Sequence, residues 1–247
     1  MAFTRLFIRG ALQPNLSLQL DPEQARYIGR VLRLRPDDTL AVFNGESGEF
    51  SATVESVGKT TATIVLGAAI ASATESPLRL HLVQGVSRGE RMDTIVQKAT
   101  ELGVKRITPV LTEFGVVKLG GERADKRREH WQKIAISACE QCGRIRPPLI
   151  DVAVPLKTWF GTKTGDTDVD LILKPGAATP LATLAAPRTK VCLLIGPEGG
   201  FSEVEYKDAE LSGFTAVSLG PRVLRTETAA TAAIAVAESL WGDLGSN

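Results

Sequence analysis

The apolar positions in the first part of the chain come in short alternating or β-branched runs. Thr39–Phe43, Phe50–Val57 and Thr60–Leu66 each read as a strand, and the stretches NGESG and VGKT supply the turn residues around them. Together they predict a small β-barrel or sandwich. The pattern changes near residue 75, where AIASATESP, small, polar and ending in Pro77, reads as a linker. Beyond it strand-like and helix-like stretches alternate. LRLHLVQGV is followed by MDTIVQKATELG, RITPVLT, a long helix through REHWQKIAISACEQ, and then DLILKP, VCLLIGP and AVSLG. That alternation predicts an α/β domain, with helices packed around a mostly parallel sheet. The expected division is 1–71 for the β domain and 72–247 for the α/β domain. No internal repeat or low-complexity segment interrupts either part.

Composition narrows the class of partner. At 247 residues the chain can bury roughly 70–75% of its unfolded surface without disulfides. Its 29 basic and 28 acidic residues nearly cancel, so any nucleic-acid surface must be a local patch rather than a general polycation. Three cysteines are too few for a disulfide framework, and MAFTRLFIRG places two arginines where a signal peptide would build its apolar core. Even the Ala-rich stretch from Thr228 is closed by Glu238, short of a membrane span. The expectation is a soluble cytoplasmic protein with no membrane partner.

Two loops hold the candidate chemistry. Strand-like VCLLI runs into GPEGG, which has neither the Lys and hydroxyl of a phosphate-binding P-loop nor the glycine spacing of a dinucleotide turn. Strand-like AVSLG runs into PRVLRTET before the helix TAATAAIAVAESLW. In an open parallel sheet, ligands settle beyond the carboxyl ends of the strands, where backbone N–H groups and helix N-termini face outward. The glycines at 196, 199 and 200 let a ligand approach the backbone closely. Taken singly, either loop also reads as an ordinary tight strand-to-helix turn.

IGPEGGFSEVE followed by LGPRVLRTETAA resembles the signature pair of the RsmE family, SPOUT-class enzymes that use S-adenosylmethionine to methylate N3 of a uridine in 16S ribosomal RNA of the small subunit. RLF near the start, RVLRLRPDD, QKATELGVKRITPV and WQKIAISACEQCGRIRPP extend the resemblance over nearly the whole chain. It implies a PUA-like β-barrel followed by an α/β domain with a deep trefoil knot, an exception to the rule against knots. The cofactor would lie between Gly196, Pro197, Glu198, Gly199 and Gly200 on one side and Leu219, Gly220, Leu224, Arg225 and Thr228 on the other. Leu173 and Pro175 would approach from a third loop. A homodimer is also implied, and the small-residue helix from Thr226 to Trp241 suits close packing, as it would suit an ordinary buried helix.

The implied reaction makes its own demand. N3 of uracil keeps its imide proton at neutral pH, so a base or an oxyanion stabiliser is needed. Arg225 can hydrogen-bond developing charge on a uracil oxygen or grip a phosphate, and Glu198 or Glu227 can accept the proton. An ordinary salt bridge for Arg225 and a helix-dipole role for Glu198 are the plainer alternatives. Among the basic clusters, Arg9, Arg30, Arg33 and Arg144 fall in matched motifs and are the expected RNA contacts. Cys139 and Cys142 share a helix face but cannot complete a four-ligand site, so no metal is expected. Two departures stand out: Phe114-Gly115 occupies the place of a frequent Arg-Ser, and a His common near Arg26 or Tyr27 is missing. Two other readings remain: a SPOUT enzyme acting on another RNA position or atom, and a non-catalytic assembly factor. The substrate would be 16S rRNA, free or in the assembled subunit.

Overall fold

The computed structural model describes residues 4–116, 119–184 and 186–245. These form two compact units, one of residues 4–75 together with Cys139–Arg146, the other of Ser76–Ala138 with the remainder of the chain.

The first unit is built on a single five-stranded sheet, a half-barrel in the order β1-β3-β4-β5-β2. Its strands are β1 (Arg5–Phe7), β2 (Ser17–Leu20), β3 (Thr39–Phe43), β4 (Glu49–Val57) and β5 (Ala62–Ile70). Alternation along β5 buries Ala62, Ile64 and Leu66, which meet Leu40, Val42, Phe50 and Val54 in the core. Local chemistry fixes the start of helix α1 (Pro22–Arg26): Asp21 caps it, Gln24 completes a capping box, and proline occupies its first turn. A π-helical turn over Tyr27–Val31 follows and buries Ile28. The stretch expected to be a linker is partly ordered structure. Ala69 and Ile70 extend β5, and Ser76 is buried, its hydroxyl donating to Glu238 at 2.6 Å.

The second unit has an entirely parallel sheet in the order β12-β10-β11-β6-β7-β8, with β9 also beside β7. Along the chain run β6 (Arg79–Gly85), α2 (Glu90–Glu101), β7 (Arg106–Leu111), α3 (Glu122–Cys142), β8 (Leu149–Ile150), β9 (Val154–Pro155) and α4 (Leu156–Thr162). Then come β10 (Val169–Leu173), β11 (Lys190–Ile195), α5 (Glu203–Leu211), β12 (Thr215–Val217) and α6 (Thr226–Trp241). The central strands read as nearly unbroken apolar runs because both faces are covered. One face packs Leu80, Leu82, Ile107 and Leu193 with Ile95 of α2 and Ala233 of α6. The other packs Val83, Val110 and Leu194 with Trp159 of α4 and Ala209 of α5.

β12 lies at the edge, beyond β10, whereas α6, which follows it, packs on α2 and β11. The chain therefore turns back across the end of β10, and the knot implied by the resemblance requires such a return. Among the described residues no helix is long and apolar enough to cross a membrane.

Candidate cofactor cleft

The C-terminal ends of β10, β11 and β12 converge on one cleft. Of the twelve residues expected around a cofactor, eight line it. Leu173 and Pro175 come from the loop after β10, and Gly196, Glu198 and Gly200 from the loop after β11. Leu219, Gly220 and Leu224 come from the loop after β12. Pro197, Gly199, Arg225 and Thr228 are not in the lining. Sequence reasoning missed the other ten lining residues, among them Ile195, Phe201, Tyr206, Val217 and Thr226 and the cations Lys174 and Arg222.

The first two of the four absent residues serve the loop from behind. A Cβ on Gly85, at the end of β6, would overlap the ring of Pro197, so the two loops can close only over a glycine. A Cβ on Gly199 would lie 2.8 Å from Cβ of Phe114 and 2.9 Å from its carbonyl oxygen. Gly200 and Gly220 have φ of +70° and +93°, left-handed values that favour glycine, with open space beside both. Gln84, fully buried, then fixes the turn: its Nε2 lies within hydrogen-bond reach of the carbonyls of Ile195 and Gly196 and of Thr226 Oγ1. Thr226 Oγ1 in turn donates to the Gly196 carbonyl at 2.7 Å, joining the start of α6 to the glycine loop. A lone glutamine in the apolar run LVQGV was the available signal. Beyond the loop, Ser202 and Glu205 form the capping box of α5, and Glu205 also accepts from the Glu113 N–H at 2.8 Å.

The charged groups divide into paired and unpaired. Glu198 accepts from the Arg88 N–H at 3.0 Å and from Arg91 Nη1 at 2.7 Å. Burial pushes its carboxyl up, but hydrogen bonds from its own N–H and that of Arg88, with the Arg91 guanidinium, outweigh burial and hold it below the usual value. A carboxylate so engaged is a poor proton acceptor. Glu227 Oε2 lies 3.9 Å from Arg91 Nε and has no hydrogen-bond partner among the described residues. Arg225 caps α6 with its backbone; its exposed guanidinium makes no hydrogen bond or ion pair among the described residues, so the plain salt bridge considered for it is not present. Thr228 is exposed one turn on.

The donor set fits an adenosine-type cofactor. Apolar Leu173, Leu219 and Leu224 offer a slot for a flat ring, and the glycine turns leave backbone groups accessible beside it. This cleft encloses about 130 Å³, less than the 460 Å³ cavity elsewhere in the same unit. Converging strand ends and loops identify it more firmly than size does.

Arg9, Arg30 and Arg33 are exposed on the first unit. Arg144 corrects the expectation set for it: it is 2% exposed, and its guanidinium is held by the Glu75 carboxylate at 3.1 Å, so it is not presented to RNA. Glu75 also accepts from the Ile145 and Arg146 N–H groups, making the pair an internal tie. Cys139 is buried and Cys142 half-buried; burial pushes the Cys139 thiol up to about 12. Among the described residues no group of three or more His, Cys, Asp or Glu could hold a metal.

Comparison with known proteins agrees with this geometry. Residues 74–238 match the RNA methyltransferase domain model and residues 20–67 the RNA methyltransferase PUA domain model. The chain is 35% identical to ribosomal RNA small subunit methyltransferase E of Buchnera aphidicola over 240 residues, 97% of each protein. The protein of that name from Bacillus subtilis is 28% identical over 84% of each. Among solved structures, the Neisseria gonorrhoeae ribosomal RNA small subunit methyltransferase E bound to S-adenosylmethionine superposes with a TM-score of 0.91 at 36% identity, covering 98% of this chain and 99% of that one. A Legionella pneumophila methyltransferase in complex with the same cofactor gives 0.93 at 40% identity, covering 99% and 100%.

Proposed function

The chain belongs to the ribosomal RNA small subunit methyltransferase E family, and from that premise we propose that it methylates N3 of a uridine in 16S ribosomal RNA with S-adenosylmethionine as methyl donor. The observation that carries the reading is the meeting of the 196–200 and 219–224 loops with Leu173 and Pro175 around one cleft. Leu173, Leu219 and Leu224 would flank the adenine, and Gly196, Gly200 and Gly220 would offer backbone groups to the polar parts of the cofactor. When bound, S-adenosylmethionine supplies an electrophilic methyl group.

The chain supplies the rest. Arg225, exposed and without an ion-pair partner among the described residues, hydrogen-bonds a uracil oxygen as negative charge develops on it, which lowers the cost of removing the N3 proton. Glu227, with one carboxylate oxygen lacking a hydrogen-bond donor among the described residues, takes that proton directly or through water. Glu198 is engaged by Arg88 and Arg91 and positions the glycine loop instead. Arg9, Arg30 and Arg33 grip RNA phosphates from the β unit, for which we retain the boundary at residues 71 and 72. The protein acts in the cytoplasm as a homodimer, whose partner would cover Val223, 82% exposed at the mouth of the cleft.

Calorimetric titration with S-adenosylmethionine tests the cleft. One site per chain is expected, retained in Arg225→Ala and lost in Leu219→Arg. Equal binding in Leu219→Arg would move the cofactor elsewhere, and light scattering on the same samples reads the dimer.

A further inference from the structure

The 460 Å³ cavity lies at the other end of the parallel strands, and the strand register creates it. Lys190 of β11 stands beside Arg79 of β6, and in the next row His81 stands between Cys192 and Arg106. Side chains alternate along strands, so these residues share the sheet face that continues into Val83, Val110 and Leu194. That face is apolar where α4 and α5 cover it and cationic at its N-terminal edge.

Like charges side by side on neighbouring strands repel. Two of the three strand-start cations are compensated: Lys190 by Asp166 at 2.6 Å, and Arg106 by Asp151 at 2.7 and 3.1 Å. The Arg79 guanidinium makes no hydrogen bond or ion pair among the described residues. Lys105 and Lys163 add further positive charge to the wall, which carries five cations and the carboxylates of Asp151 and Asp166; Asp170 holds Lys163 from behind. A bound anion would supply the counter-charge that the Arg79 guanidinium lacks among the described residues.

The inner row adds a neutral acceptor. Thr108 gives its hydroxyl proton to Asp151 and so accepts from His81 Nε2 at 2.8 Å. This leaves His81 Nδ1 as a lone-pair acceptor with no partner among the described residues. Burial first, and then Arg106, push His81 down to about 4, which keeps it neutral at physiological pH. The volume lies within the range of small-ligand sites, about 300–1,000 Å³.

We propose that this cavity binds a nucleotide unit, its phosphate on Arg79 and Lys190 and one of its hydroxyl or N–H groups on His81. The unit is either a free nucleotide or a phosphodiester of bound RNA. The RNA source rests on the proposed methyltransferase activity, whereas the free-nucleotide source does not.

Uridine monophosphate and, separately, inorganic phosphate are titrated into the full-length protein while tryptophan emission is followed, since Trp159 lines the cavity. Wild type is compared with Arg79→Glu and with Thr164→Phe, which fills the space without changing charge; thermal melting establishes that each is folded. RNA affinity is measured against salt for the same three proteins, and methyl transfer by wild type is recorded alongside. A free-nucleotide site gives a saturable response, weakened at least about tenfold in both variants, with the RNA salt slope unchanged. An RNA site gives no saturable mononucleotide response, weaker RNA binding in both variants and a salt slope reduced by about one in Arg79→Glu. No saturable response together with unchanged RNA binding in both variants overturns the proposal. Absence of methyl transfer in wild type counts against the activity and leaves the nucleotide result to stand by itself.

Discussion

At the C-terminal ends of β10, β11 and β12 the strands run into glycine-rich loops that gather leucines and open backbone around a cleft. At the N-terminal ends of β6, β7 and β11 the same sheet presents Arg79, Arg106 and Lys190 around a polar cavity. The difference follows from strand direction. In a parallel sheet every strand starts at one edge and stops at the other, so a cation in the first position of several strands becomes a row. Turn residues after the last positions become a second, unrelated surface. Between the two edges the strands are buried on both faces and are largely apolar, with Gln84 and Thr108 as hydrogen-bonded exceptions.

The largest expected effect separates chemistry from binding at the cleft. Arg225→Ala should lower turnover roughly 10²–10³-fold in single-turnover assays, with cofactor affinity unchanged in calorimetry. Full turnover would end the catalytic role assigned to it.

At the opposite edge, His81 makes stability depend on pH. Its folded value of about 4 lies below the ordinary 6.5, so between these values the unfolded chain binds the extra proton and stability falls as pH drops. The loss amounts to up to about 3 kcal/mol, and His81→Gln should flatten that limb in urea titrations at successive pH values. An unchanged slope in the variant would mean that other groups carry it.

Gly85→Ala probes the closure of the cleft. Its methyl group must displace Pro197, so a stability loss of about 1–3 kcal/mol is expected, together with weakened cofactor binding. Retained affinity would show that the loop tolerates an open position.

The smallest effect is at Glu198. Its carboxyl is lowered in the fold, so its stabilisation is complete above the unfolded carboxylate range and is lost as pH falls through the lowered value. Removing the guanidinium in Arg91→Ala should start that loss at higher pH in melting experiments. Identical acid profiles would exclude Arg91 as the group holding Glu198.

The two edges differed in how plainly the sequence announced them. GPEGG and the LG…LRTET stretch could be read because their information is local: an apolar strand, glycines able to take positive φ, and a helix start. What stood behind those loops could not. Pro197 and Gly199 look toward Gly85 and Phe114, and Glu198 meets Arg91, 107 positions away in the chain. Arg144 looked like one more basic residue in a patch until its partner Glu75, 69 positions earlier, placed it inside. The strand starts in RLHLV, RITPV and KVCLL were each unremarkable; only the register Lys190–Arg79 and His81–Arg106 turned them into a surface. Periodicity predicted the elements, and the pairing of distant elements decided which charges were spent internally and which remained for ligands.

Methyl transfer to N3 of uridine at the cleft is the step on which the roles of Arg225 and Glu227 depend. Incubating the protein with isotopically labelled S-adenosylmethionine and small ribosomal subunits that lack the modification, then digesting the RNA and identifying the labelled nucleoside by mass spectrometry, tests it most directly. The expected labelled nucleoside is 3-methyluridine. Label in any other nucleoside, or no transfer by protein that binds the cofactor, would contradict it.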